Sequence, residues 1–107
     1  MKYMMFVCTD AEPATDESQV PDIEVWVAEN DAAGRRLEGN QLAPASAATT
    51  VRVRGGELLL SDGPFAETRD MIVGFDILEC ADLDEAIEVA RAHPMAWGGR
   101  VELRPFA

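Results

Sequence analysis

The chain has little of what most often carries enzyme chemistry: one histidine and two cysteines in 107 residues. A single histidine excludes a two-histidine metal site within one chain. There is no Cys-x-x-Cys, no His-Glu-x-x-His and no glycine-rich phosphate loop. Positive charge is scarce too. Nine Lys and Arg face 20 Asp and Glu, for a net charge of -11 and a pI of about 4.3. Such a surface repels phosphate backbones and anionic lipid, which argues against nucleic acid and membrane partners. No apolar run approaches the roughly 20 residues that span a bilayer. The opening apolar stretch, Tyr3 to Cys8, is shorter than a signal peptide requires. The expectation is a cytoplasmic protein with no metal and no cofactor. Its cysteines, Cys8 and Cys80, then read as buried thiols in a reducing compartment.

What remains is an ordinary globular mix, 48% apolar and 27% charged. It suits one domain over residues 1–107. Tyr3 to Cys8 reads as a strand buried on both faces. Residues 10 to 31 hold eight acids and no base, a solvated face or loop. Within 21–34, a helix is preferred over a strand, with Pro21 in its first turn and Gly34 just past its end. Arg36 to Leu42 reads as a strand interrupted at Gly39-Asn40. Thr49 to Arg54 and Glu57 to Ser61 form a hairpin about Gly55-Gly56. Ile72 to Cys80 is a further strand. Asp82 and Glu85 make a capping box for a helix with its apolar face on Leu83, Ala86, Ile87 and Ala90. Pro94 ends that helix, and Arg100 to Arg104 is the last strand. The order β-α-β, hairpin, β-α-β is the split βαβ plan of a ferredoxin-like α+β domain with an inserted β-hairpin. An antiparallel-rich sheet with two helices on one face is expected.

The block Asp62-Gly63-Pro64-Phe65-Ala66-Glu67-Thr68-Arg69 resembles the DGPF motif of the YCII-related family. The likeness continues through Val73-Gly74-Phe75, Ala81 to Ala86 and Val101 to Phe106. It implies a homodimer paired as a dimeric α/β barrel, with a cleft for a small-molecule ligand. It also implies two functional classes. One is a binder or enzyme that uses an acid-base carboxylate in the cleft. The other is a non-catalytic accessory or interaction protein, linked in some relatives to sigma-factor-dependent regulation. The family's early histidine has no counterpart near the first strand here. The resemblance further implies that the first and third core strands are neighbours. Reading them as parallel puts Cys8 and Cys80 at one end.

Asp62 is the family acid and the main acid-base candidate, or else an Asx-turn former. Gly63, Pro64, Phe65, Glu67, Thr68 and Arg69 follow as ligand-binding candidates; the last three could equally cap a connector. His93 could serve acid-base chemistry, or sit as a cation on the helix dipole. Asp76 departs from the aromatic or aliphatic residue usual in that strand. Alternation puts Phe75, Ile77, Val101 and Leu103 toward the helices. Asp76, Glu102 and Arg104 then form a polar cluster on the opposite, cleft-lining face, with Arg104 as the partner of Asp76. Arg52 and Arg54 share a hairpin face, as charges guarding an edge or drawing an anion.

Overall fold

Strand β1 (Lys2–Cys8) leads the sheet, and its alternate residues Tyr3, Met5 and Val7 are buried. The computed structural model describes residues 1–12, 20–63 and 71–107. Helix α1 (Ile23–Ala32) begins where the Asp22 carboxylate accepts the Glu24 N–H at 2.8 Å. It ends in a Schellman motif. The Arg35 and Gly34 N–H groups return to the Asn30 and Asp31 carbonyls, with Gly34 at φ 72°. Strand β2 (Arg36–Gln41) follows. It runs unbroken through Gly39-Asn40; its irregularity falls earlier, between Arg36 and Glu38.

Strands β3 (Thr49–Arg54) and β4 (Glu57–Asp62) form the hairpin, and among the described residues they pair only with each other. Gly55 and Gly56 take φ of 58° and 77°, the double left-handed turn that suits a two-residue hairpin loop. Strand β5 (Ile72–Glu79) returns to the main sheet. Helix α2 (Leu83–Arg91) opens on Asp82, whose carboxylate accepts the Glu85 N–H. The Glu85 carboxylate reaches back to the Ala81 N–H. The short helix α3 (Met95–Gly98) and strand β6 (Arg100–Pro105) complete the chain.

The main sheet has the order β2-β5-β1-β6, every pair antiparallel. This is the ferredoxin-like arrangement expected. The core is Tyr3, Met5, Val7 and Leu78 from the sheet against Trp26 of α1 and Ala86, Val89 and Ala90 of α2. The Trp26 indole N–H donates to the Val89 carbonyl at 2.8 Å and ties the two helices together. Helix α2 is turned from its expected face. Val89 is buried beside Ala86 and Ala90, while Leu83 and Ile87 are about half exposed.

Three further expectations are corrected. Strand β1 is buried on one face only; Met4 and Phe6 on the other face are half-buried. Strands β1 and β5 are neighbours but antiparallel. The crossover through α1 makes β1 and β2 run the same way, and β5 runs against both. Cys8 therefore pairs with Ile72 at one end, while the Cys80 N–H bonds the Met1 carbonyl at the other. Seven residues of strand put the cysteines on the order of 20 Å apart, beyond any disulfide. Finally, the face of β5 is inverted. Gly74, Asp76 and Leu78 turn to the helices, and Phe75 and Ile77 lie on the open face opposite Phe6 and Met4.

Candidate functional site

The inversion of β5 carries a carboxylate into the interior. Asp76 is only 6% exposed, in register between Met5 of β1 and Gly39 of β2. Its partner is Arg36. The Arg36 Nε donates to Asp76 Oδ1 at 2.7 Å. Nη1 of the same guanidinium meets Asp31 at the end of α1 at 3.0 Å, and Nη2 donates to the Gly39 carbonyl at 3.0 Å. Every nitrogen of the guanidinium is engaged. Gly39 is glycine for a steric reason: a Cβ there would strike the Asp76 carboxylate and crowd Arg36. Burial raises the Asp76 pKa, and the hydrogen bond to Arg36 only partly opposes it. Burial also opposes the charge on Arg36, but its two carboxylate partners more than compensate and its pKa is raised.

His93 lies at the turn between α2 and α3 and is 5% exposed. Its ring stands edge-on to Trp26, with centroids 4.7 Å apart. Its Nδ1 accepts the Met95 N–H at 2.9 Å. The proton of the neutral ring is therefore on Nε2. Burial and the positive charge of Arg36 lower its pKa from 6.5 to about 4. The cationic histidine on a helix dipole is thus replaced by a neutral, buried hydrogen-bond donor.

Both side chains line one cleft of about 460 Å³, between α1, the β2–β5 half of the sheet and the His93–Met95 turn. Ile23, Val27, Val73 and Met95 give it apolar walls. Asp76 Oδ2 and His93 Nε2 have no hydrogen-bond partner among the described residues, and neither atom is sealed from the cleft. The cleft therefore offers one acceptor and one donor on an otherwise apolar surface.

The remaining candidates lie elsewhere. Glu102 and Arg104 pair with each other at 3.2 Å on the exposed open face, where the Arg104 guanidinium sits 5.8 Å from the Phe6 ring centre. They do not join Asp76. Asp62 ends β4 opposite Thr49 and is exposed. It is not among the residues lining the cleft. Gly63, at φ 87°, donates its N–H to the Ala48 carbonyl and accepts the Thr50 hydroxyl, so this part of the motif builds a turn. Pro64, Phe65, Glu67, Thr68 and Arg69 fall outside the described residues. Arg54 faces Glu57 across the hairpin and Arg52 faces Leu59. Arg36 was not singled out by sequence. The signal for it was indirect: a mid-strand acid requires a cation, and Gly39 marks the place where the neighbouring backbone makes room.

The fold is that of a ferredoxin-like α+β protein with a cleft between its sheet and helices. The YCII-related domain model matches residues 1–107, and the chain belongs to that family. It is 38% identical over 96 residues to the uncharacterized protein R00369 of Rhizobium meliloti (strain 1021), covering 86% of this chain and 76% of that one. Among the described residues, no helix is long and apolar enough to cross a membrane.

Proposed function

We propose that this YCII-related protein binds a small molecule in the Asp76–His93 cleft. The observation that carries this reading is the pair of deeply buried polar side chains, each with one atom left open to an apolar-walled cavity. Water can meet both atoms while the cleft is empty, and a ligand that bonds both displaces that water from an apolar-walled site. The volume is in the range of small-molecule sites. A carboxylate of raised pKa in the same cleft as a neutral imidazole also suits acid-base chemistry, with Asp76 rather than Asp62 as the acid-base group. The test is a fragment screen read by amide chemical shifts. Binders are expected to perturb Val27, Val73 and His93 together. A screen whose binders all map to other surfaces, or that finds none, refutes the reading.

A second reading concerns assembly, and a separate observation favours it. The hairpin exposes Val51, Val53, Leu58 and Leu60, each 57–63% accessible. The open sheet face adds half-buried Met4, Phe6, Phe75 and Ile77. Two uncovered apolar surfaces on one chain suit a homodimer. Sedimentation should show a dimer that Leu58→Ser with Leu60→Ser weakens. A monomeric wild type at micromolar concentration removes this reading.

A further inference from the structure

The charges around the cleft limit what it can hold, given that it binds a ligand at all. Arg36 and Asp76 line its polar wall, and Asp31 pairs with Arg36 outside the lining. The Arg36 guanidinium spends all three nitrogens on Asp76, Asp31 and the Gly39 carbonyl. Nη2 keeps a second N–H, but an anion reaching it would also meet the Asp31 and Asp76 carboxylates, two negative charges against one positive. Such an anion would face the open oxygen of Asp76 in an acidic protein, and the repulsion would be strong in so buried a place. A cation meets the opposite obstacle. A cation at Oδ2 would sit close to the guanidinium that holds the other oxygen, and it would have to shed its hydration to enter an apolar-walled cleft. It would also meet the Nε2–H of His93, a donor pointing its positive end outward. Burial first, and the Arg36 charge after it, already favour the neutral form of that ring.

An uncharged group escapes both penalties. It can accept from His93 Nε2–H and donate to Asp76 Oδ2, leaving no buried polar atom unpaired. Its body must be apolar to lie against Val27, Val73 and Met95. We infer that the cleft selects an uncharged, largely apolar molecule that carries both a carbonyl-type acceptor and an N–H or O–H donor, and rejects both carboxylates and amines. Amides, lactams and hydroxy ketones are the chemical class that meets these terms.

This inference rests on the Asp76–His93 cleft being a ligand site, and a set of matched ring compounds separates the two claims. ε-Caprolactam carries donor and acceptor without charge. N-methylcaprolactam lacks the donor. Cyclohexanecarboxylate and cyclohexylammonium carry either charge. Each is titrated at pH 7 against the full chain, with amide shifts at Val27 and Val73 and the His93 Nε2–H resonance as readouts. Caprolactam is expected to bind at least about tenfold more tightly than the other three and to shift the Nε2–H signal, since a lost buried hydrogen bond or an unpaired charge is worth that much or more. If none of the four perturbs the cleft, the ligand site itself is refuted. If a charged probe perturbs the cleft as strongly as caprolactam, the site stands and the charge selection is overturned. If N-methylcaprolactam matches caprolactam, the donor requirement is overturned. His93→Phe removes the ring N–H without adding charge. It should abolish the caprolactam preference while leaving the amide spectrum folded.

Discussion

The body of the protein and its hairpin arm treat polarity in opposite ways. In the body, charged and polar groups go inside: Asp76 and His93 are about 5% exposed and Arg36 is mostly covered. In the arm, apolar groups go outside: Val51, Val53, Leu58 and Leu60 all stand in solvent, and every residue of β4 is exposed. The radius of gyration, 16.0 Å, exceeds the about 13 Å of a compact domain of this length, as a projecting arm requires. A core buries polar groups only when it can pair them. An arm exposes apolar groups at little cost to its own fold, because a two-stranded hairpin has nothing to bury them against. The contrast teaches where each region's energy lies. The body is held by pairing inside one chain, and the arm keeps its apolar surface available for another.

The largest break in this contrast should come from unpairing the body. Arg36→Ala leaves the Asp76 carboxylate buried alone and is expected to cost about 3–5 kcal/mol in chemical denaturation. Replacing both together, Arg36→Leu with Asp76→Tyr, removes charge and partner at once. It should recover most of that loss, since apolar replacements of buried pairs are often neutral or better. A double variant as unstable as the single one would show that the pair itself, and not the stranded charge, holds the sheet edge.

The next effect is a pH dependence. His93 titrates at about 4 when folded and near 6.5 when unfolded. The unfolded chain therefore binds the proton more readily. The histidine's contribution is fully present above pH 6.5 and is lost as pH falls toward 4, amounting to about 3 kcal/mol. Asp76 has the opposite sign. Its raised folded pKa means that the folded state takes up its proton first, which offsets part of the loss at the acid end. Urea midpoints at pH 7, 5 and 4 should fall for the wild type and flatten in His93→Phe. Parallel slopes would place the acid sensitivity in other groups.

A smaller effect tests the joint between the helices. Trp26→Phe keeps most of the buried ring but strands the Val89 carbonyl, at an expected cost of about 1–3 kcal/mol. The smallest belongs to the arm. Leu58→Ser with Leu60→Ser should change protomer stability by no more than about 0.5 kcal/mol each, measured below the concentration at which copies associate. A large loss there would mean that the arm packs on its own body, and the contrast between the two regions would fail.

Much of this fold was legible in the residues. The Gly55-Gly56 turn fixed the hairpin register, and the Asp82–Glu85 box fixed the start of α2. Gly34 marked the end of α1, where only a residue free of a Cβ turns left-handed without strain. The candidate site was less legible. Asp76 stands out as an acid in an apolar strand, but the way it faces does not, because β5 is apolar on both faces and period-2 alternation cannot tell one face from the other. Alternation points to Arg104 as the partner of Asp76, and nothing local points to Arg36. Only the pairing order, which puts β2 beside β5 and sends β6 to the far side of β1, chooses between them. His93 shows the same limit. Its position before Pro94 suggested an exposed helix end, and the turn into α3 buried it against Trp26.

The local rules determined the elements themselves, because turns, caps and alternation depend on residues a few positions apart. The composition also settled that the surface is acidic. Tertiary structure alone decided which face of β5 looks inward, which arginine meets Asp76, that Cys8 and Cys80 lie at opposite ends, and that the one histidine is neutral. Each of these depends on residues tens of positions apart being brought into register, and burial then sets their charge.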